Sequence, residues 1–168
     1  QNTALGYQAL NANTTANNNT AVGYLAAYSS TGAGITAIGS NTLRYNTTGA
    51  GNTAVGSYYD GVYEAALYYN TTGGRNVAMG AGALSYNTTG SYNVGLGVGA
   101  LYNNTTAAGN TAVGYQAGYK NTTGSGNTSI GYLAGQAITT GNGSVAIGQG
   151  ALQSGTNTAS YNTAIGYA

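Results

Sequence analysis

The chain of 168 residues contains no cysteine, histidine, proline, tryptophan or phenylalanine, and only 3% of its residues are charged. Without cysteine there is no disulfide framework and no thiolate metal site. Without histidine the usual general base and the usual transition-metal ligand are missing. Its charges, Arg44, Arg75 and Lys120 against Asp60 and Glu64, give a net +1. That is too little for a surface that tracks phosphates, so nucleic acid is not an expected partner. No apolar run approaches the roughly 18 residues of a membrane span, so no membrane insertion is expected in this segment. The many Ser and Thr hydroxyls have no base beside them. No catalytic residue, cofactor or metal site is therefore expected, and the chain does not read as an enzyme.

What the sequence does have is a beat. The pentapeptide NTAVG and its variants begin at residues 2, 19, 35, 52, 76, 93, 110, 127, 144 and 162, so the spacings are 17, 16, 17, 24, 17, 17, 17, 17 and 18. A seven-residue excess in the fourth unit accounts for the outlier. A period this short means a solenoid rather than a globular core. The fold expected is all-β: a parallel β-roll or β-solenoid of ten coils of about 17 residues, forming a single repeat domain over 1–168. The chain starts one residue before a repeat and stops seven residues into another, as a segment of a longer protein would.

Aligned by column, the units read N-T-A-V-G-Y-x-A-L-Y-x-N-T-T-G-x-G. The fourth column is a large aliphatic or Met in every unit, from Leu5 and Val22 to Ile165. It is expected to face the core, and the second column (Thr or Val) to share its parity. The third column is always small, from Ala4 to Ala164, and is expected to point outward against a close neighbour. The fifth is Gly without exception: Gly6, Gly23, Gly39, Gly56, Gly80, Gly97, Gly114, Gly131, Gly148 and Gly166. That invariance fits a corner needing positive φ or no Cβ. A second short strand is expected over the Ala and Leu of the eighth and ninth columns, before NTTG turns the chain back. Two large aliphatics per coil make a thin core for so many ordered residues. Burial between chains, at the small third column, is the expected remedy, giving a homo-oligomer.

SVAIG at 144–148, together with the NTAVG and NTAIG variants, resembles the head repeats of trimeric autotransporter adhesins. NTALGYQAL at 2–10 and NTAVGYQA at 110–117 are similar to repeats of bacteriophage tail fibres and related bacterial surface proteins. The resemblance covers essentially the whole chain. It implies a left-handed parallel β-roll that trimerises side by side, with second- and fourth-column residues filling the interior. It also implies an extracellular, cell-surface or virion fibre that serves as a structural or adhesion protein. The coil here is longer than the head coil common in that family. Thr also often stands where Val is expected in the second column.

Several residues are candidates for function. Asn13, Asn46, Asn70, Asn87, Asn104 and Asn121 each open an N-T-T sequon, so a glycan-bearing edge competes with a plain turn carrying Asn and Thr ladders. Paired Thr residues such as Thr47 and Thr48 raise ice binding, against which stand the turn's lack of flatness and the inward expectation for second-column Thr. Tyrosines gather in the sixth, tenth and eleventh columns, for stacking between coils or as a stripe for carbohydrate or host protein. The seven-residue excess lies within 57–67 and offers a candidate binding loop of Tyr58, Tyr59, Asp60, Tyr63 and Glu64. The string GLGVGA at 95–100 mimics a dinucleotide fingerprint but sits in the repeat's own glycine register. The sequence therefore points to an extracellular fibre or adhesin segment giving reach and multivalent attachment, its partners being other copies of itself and possible glycans or a host receptor. The alternative is a monomeric ice- or carbohydrate-binding β-solenoid.

Overall fold

A computed structural model describes residues 1–58 and 61–167. Each repeat contributes one short strand: β1 (Asn2–Leu5), β2 (Asn19–Val22), β3 (Thr36–Ile38), β4 (Thr53–Val55), β5 (Val77–Met79), β6 (Val94–Leu96), β7 (Thr111–Val113), β8 (Thr128–Ile130), β9 (Val145–Ile147) and β10 (Thr163–Ile165). They form one ten-stranded sheet in sequence order. Every pairing is parallel and in register by column, for example Thr53↔Val77, Ala54↔Ala78 and Val55↔Met79. The protein is thus a β-solenoid of ten coils, each named here by the number of its strand. Neighbouring coils are joined by backbone bonds such as Thr53 N–H to the Asn76 carbonyl at 2.8 Å and Gly80 N–H to the Val55 carbonyl at 2.8 Å.

The parity of the strands is the reverse of the sequence expectation. Third-column Ala21, Ala37, Ala54, Ala78, Ala112 and Ala146 have no exposure at all. Fourth-column Ile38, Met79 and Ile130 are 41%, 46% and 39% exposed. The small column packs inward, and the aliphatic column with its second-column Thr or Val faces out. The reason is space. The opposite wall already fills the interior with Leu43, Leu67, Leu84 and Leu101, each buried. At Gly95, a third-column position, even an added Cβ would lie 3.2 Å from the Ala100 carbonyl oxygen and 3.4 Å from Leu84 Cγ. A coil this narrow has room for one large residue across its width, and the ninth-column Leu takes it.

The opposite wall also differs from expectation, because among the described residues no second strand forms there. The chain runs through turns in which alternate residues take positive φ, as at Gly80 (126°), Gly82 (70°) and Leu84 (52°). Non-glycine residues in this left-handed region are strained, yet ninth-column Leu10, Leu43, Leu67, Leu84, Leu101 and Leu152 all adopt it. The conformation lets this wall bond from coil to coil as well: Leu84 N–H reaches the Ala100 carbonyl at 2.9 Å and Leu101 N–H the Ala117 carbonyl at 3.0 Å. Each turn closes on itself where the Asn87 N–H meets the Leu84 carbonyl at 3.1 Å. Fifth-column Gly makes the corner between the walls. Gly80 has φ of 126°, and a Cβ there would sit 2.7 Å from the carbonyl carbon of Gly97 in the next coil.

Candidate functional site

The six sequon asparagines belong to the interior. Asn46, Asn70, Asn87 and Asn104 are fully buried, Asn121 is 1% exposed, and Asn13 is half-buried. Their side chains form a file along the solenoid: Asn70 Nδ2 donates to Asn46 Oδ1 at 2.6 Å, and Asn87 Nδ2 to Asn70 Oδ1 at 2.8 Å. Asn104 and Asn121 continue the file at 2.9 and 3.0 Å. The second Nδ2 hydrogen of each goes to a carbonyl of its own turn, as from Asn87 to Gly90 at 2.9 Å. A glycan on Nδ2 would need a hydrogen already committed and a path through the wall. The glycan-bearing edge is therefore corrected at the five buried positions: these residues hold the turn together. Asn13 shares the geometry, its Nδ2 bonding the Ala16 carbonyl at 3.1 Å, without the depth.

A second file went unread in the sequence, although it stands in the motif's own first column. Asn52, Asn76, Asn93 and Asn110 are fully buried. The Asn76 backbone N–H and Nδ2 both donate to Asn52 Oδ1, at 2.9 and 3.2 Å, and the pattern repeats at Asn93 and Asn110. The Gly90 carbonyl accepts from both files, from Asn76 at 2.9 Å and Asn87 at 2.9 Å. In coils 1, 4, 5 and 6 the two asparagines of the unit thus grip one turn oxygen, which replaces an apolar core on this side of the coil. The available signal was parity, since Asn in column one and Ala in column three lie on the same face of the strand.

With polar groups inside, the apolar groups stand outside. The outward face of the sheet is a stripe of Leu5, Val22, Ile38, Val55, Met79, Leu96, Val113, Ile130, Ile147 and Ile165, all exposed or half-buried. On one side of it runs the second-column stripe of Thr and Val, and on the other, past the corner Gly, stand sixth-column tyrosines. Tyr7 and Tyr24 stack at 5.4 Å, and Tyr115 and Tyr132 at 5.3 Å. The face carries no charged side chain in columns two and four.

The turn side carries a different surface. Tyr45, Tyr69 and Tyr86 stack at 5.8 and 5.0 Å and, with Thr71, Thr88 and Thr105, line a shallow groove. The thirteenth-column Thr hydroxyls donate to the next coil, from Thr71 to the Thr88 carbonyl at 2.9 Å and from Thr88 to the Thr105 carbonyl at 3.1 Å. Burial raises the phenol pKa of Tyr68, Tyr69, Tyr102 and Tyr119, and at Tyr102 a bond to Glu64 raises it further.

The seven extra residues can now be placed. Gly82 N–H bonds the Glu64 carbonyl at 2.7 Å, as Gly99 N–H bonds Ala81 in the next coil at 2.9 Å. Glu64 therefore occupies the sixth column, and the excess is 57–63. Tyr58 is exposed, Tyr63 is buried and Glu64 is half-buried. Tyr59 and Asp60 lie outside the described residues. Glu64 faces phenols rather than a cation: Tyr102 donates to Oε2 at 2.6 Å and Tyr86 to Oε1 at 3.3 Å. Among the described residues no three acidic, His or Cys side chains gather as a metal site would require, and no helix is long and apolar enough to cross a membrane.

A comparison with family models, curated proteins and solved structures finds no match for this chain.

Proposed function

We propose that this solenoid is the structural repeat segment of an extracellular fibre or adhesin, in which copies of the chain pack side by side and the repeats give reach and multivalent attachment. The observation that carries the reading is the apolar stripe of the fourth column, exposed or half-buried on every coil of a chain with so few charges. A continuous apolar face of this length is uncommon on a monomer and marks an association surface. The contacting column is then the aliphatic fourth rather than the small third. Three copies around an axis fit the resemblance to adhesin heads and tail fibres, and a surface or virion location follows from the same resemblance. The groove of Tyr45, Tyr69 and Tyr86 offers a place for a glycan or host-surface receptor. The chain has no part in catalysis on this reading. Light scattering of the folded segment tests it: a defined oligomer is expected, and a soluble monomer at high micromolar concentration overturns it.

One observation favours a second reading, a monomeric ice-binding solenoid. Second-column Thr3, Thr20, Thr36, Thr53, Thr111, Thr128 and Thr163 lie on the outward face of a regular parallel sheet. Repeated about every 4.8 Å along the stack, they supply the ordered hydroxyl array that the turn Thr ladder, with its hydroxyls committed to the next coil, does not. Thermal hysteresis in a monomeric sample would establish this reading, and its absence at millimolar concentration would end it.

A further inference from the structure

Among the described residues, the side-chain hydrogen bonds that join coils run between neighbours, with two exceptions, and both arise where the seven extra residues rejoin the coil. Tyr102 in coil 6 donates to Glu64 in coil 4 at 2.6 Å, across 38 residues. Gln116 Nε2 in coil 7 donates to the Tyr63 hydroxyl at 2.6 Å, across 53 residues. The Gln116 amide oxygen in turn accepts from Gln136 Nε2 in coil 8 at 3.1 Å. Tyr63 is buried, and its ring meets Tyr102 edge-on at 5.5 Å.

The coils beneath are cut to fit. Outside coil 4 the described seventh-column residues have positive φ, and Gln8, Leu25, Asn41, Gln116 and Leu133 adopt it with side chains attached. Backbone conformation therefore does not demand glycine there. At Gly82 a Cβ would come within 2.6 Å of Tyr63 Cδ1, and at Gly99 within 3.1 Å of Tyr63 Cε1. The sixth-column tyrosine found in coils 1, 2, 7 and 8 is replaced over the same stretch by Ala81 and Val98. Ring and recess are complementary over two successive coils.

We propose that the point where the insertion rejoins the coil is a clasp: Tyr63, its last residue, and Glu64, just after it, bind coils 4 to 7 into one cooperative unit, while among the described residues the other coils are coupled to their neighbours alone. In a nearest-neighbour stack each coil opens at the free energy of its own interfaces, and fraying advances one coil at a time. A contact that spans three coils makes the opening of any one of them lose contacts in the others. The clasp also fixes which coil lies where, because its partners are single residues in a sequence that otherwise repeats. The inference concerns one chain and stands whether or not copies associate.

Hydrogen exchange of the whole segment tests it. In the native protein the amides of Leu84, Leu101 and Gly118, all bonded to the following coil, should exchange at a common rate. In Tyr63→Ala they should accelerate at least tenfold and separate from one another, while the Ala27 amide of coil 2 keeps its rate. Tyr63→Phe and Gln116→Ala, which remove one hydrogen bond and leave the ring or the fold in place, should each accelerate Gly118 severalfold and be non-additive in the double variant. Equal acceleration in coils 2 and 6, unchanged rates throughout coils 5 to 7, or simple additivity of the milder pair would overturn the proposal.

Discussion

The two walls of the solenoid meet the same interior and solve it in opposite ways. On the strand wall the inward residue is Ala and the outward one is Val, Ile, Leu or Met, so its large apolar groups stay exposed or half-buried. On the turn wall the inward residue is Leu, and the outward tyrosines have one another, with Tyr69 against Tyr86 at 5.0 Å and Tyr102 against Tyr119 at 5.1 Å. One wall packs its large residues inward and the other presents them outward. Apolar composition alone does not separate a column that faces the core from one that faces outward. The narrowness of the coil does.

The same chemical change should therefore have unlike consequences on the two walls. Leu84→Ala on the turn wall removes the large residue that spans coil 5 and should destabilise the chain by about 2–5 kcal/mol, read from denaturant melts. Ala78→Leu, directed into the same space from the strand wall, should cost about 1–3 kcal/mol through overpacking. A gain in stability there would mean the interior is wider than described. Asn87→Ala breaks the file between the walls and leaves Asn70 and Asn104 each short of a partner, at about 1–3 kcal/mol for each buried group left unpaired. Ile130→Ser on the outward strand face should change single-chain stability by no more than about 0.5 kcal/mol, while Val113→Asp with Ile130→Asp should abolish association in light scattering with an unchanged circular dichroism spectrum.

The smallest effect concerns pH and belongs chiefly to the turn wall. Tyr68, Tyr102 and Tyr119 have phenol pKa values raised above the ordinary 10.0, chiefly by burial. The unfolded chain then releases protons at lower pH than the folded one. Stability from this source is intact below pH 10 and falls as the pH rises above it. Melting temperature should decline between pH 10 and 11.5, and Tyr102→Phe should flatten the decline.

Much of this was legible in the sequence: the period gave ten coils, each with its strand at NTAVG, and the fourth unit's excess marked the insertion. Parity was not, because reading it assumed that the larger residue faces the core. In a coil of about 17 residues the width left between walls decides, and that width is set by Leu across the way and by two asparagine files. The first-column Asn carried the missing information, since it shares a face with the Ala that proved to be inside. The absent second strand was illegible for another reason. Alternating positive φ at Leu84 and its equivalents contradicts local preference and is sustained only by bonds to the coils on either side. The reach of Tyr63 over Gly82 and Gly99 left a trace, the loss of bulk in the sixth and seventh columns of coils 5 and 6, that is meaningful only once the insertion is placed above them.

The asparagine files have a polarity. In both, the later coil donates and the earlier coil accepts, as from Asn76 to Asn52 and from Asn87 to Asn70. Where the turn file ends, at coil 8 with Ile138 in place of Asn, Asn121 Oδ1 is left as a buried acceptor without a donor. A stack built this way resembles a growing polymer with one receptive end. As the chain leaves the ribosome, each finished coil already displays the side-chain acceptors that the next one's file asparagines will fill, and no asparagine of either file has to wait for the next coil to satisfy its own Nδ2 donors. Folding can keep pace with synthesis, one turn behind the emerging chain.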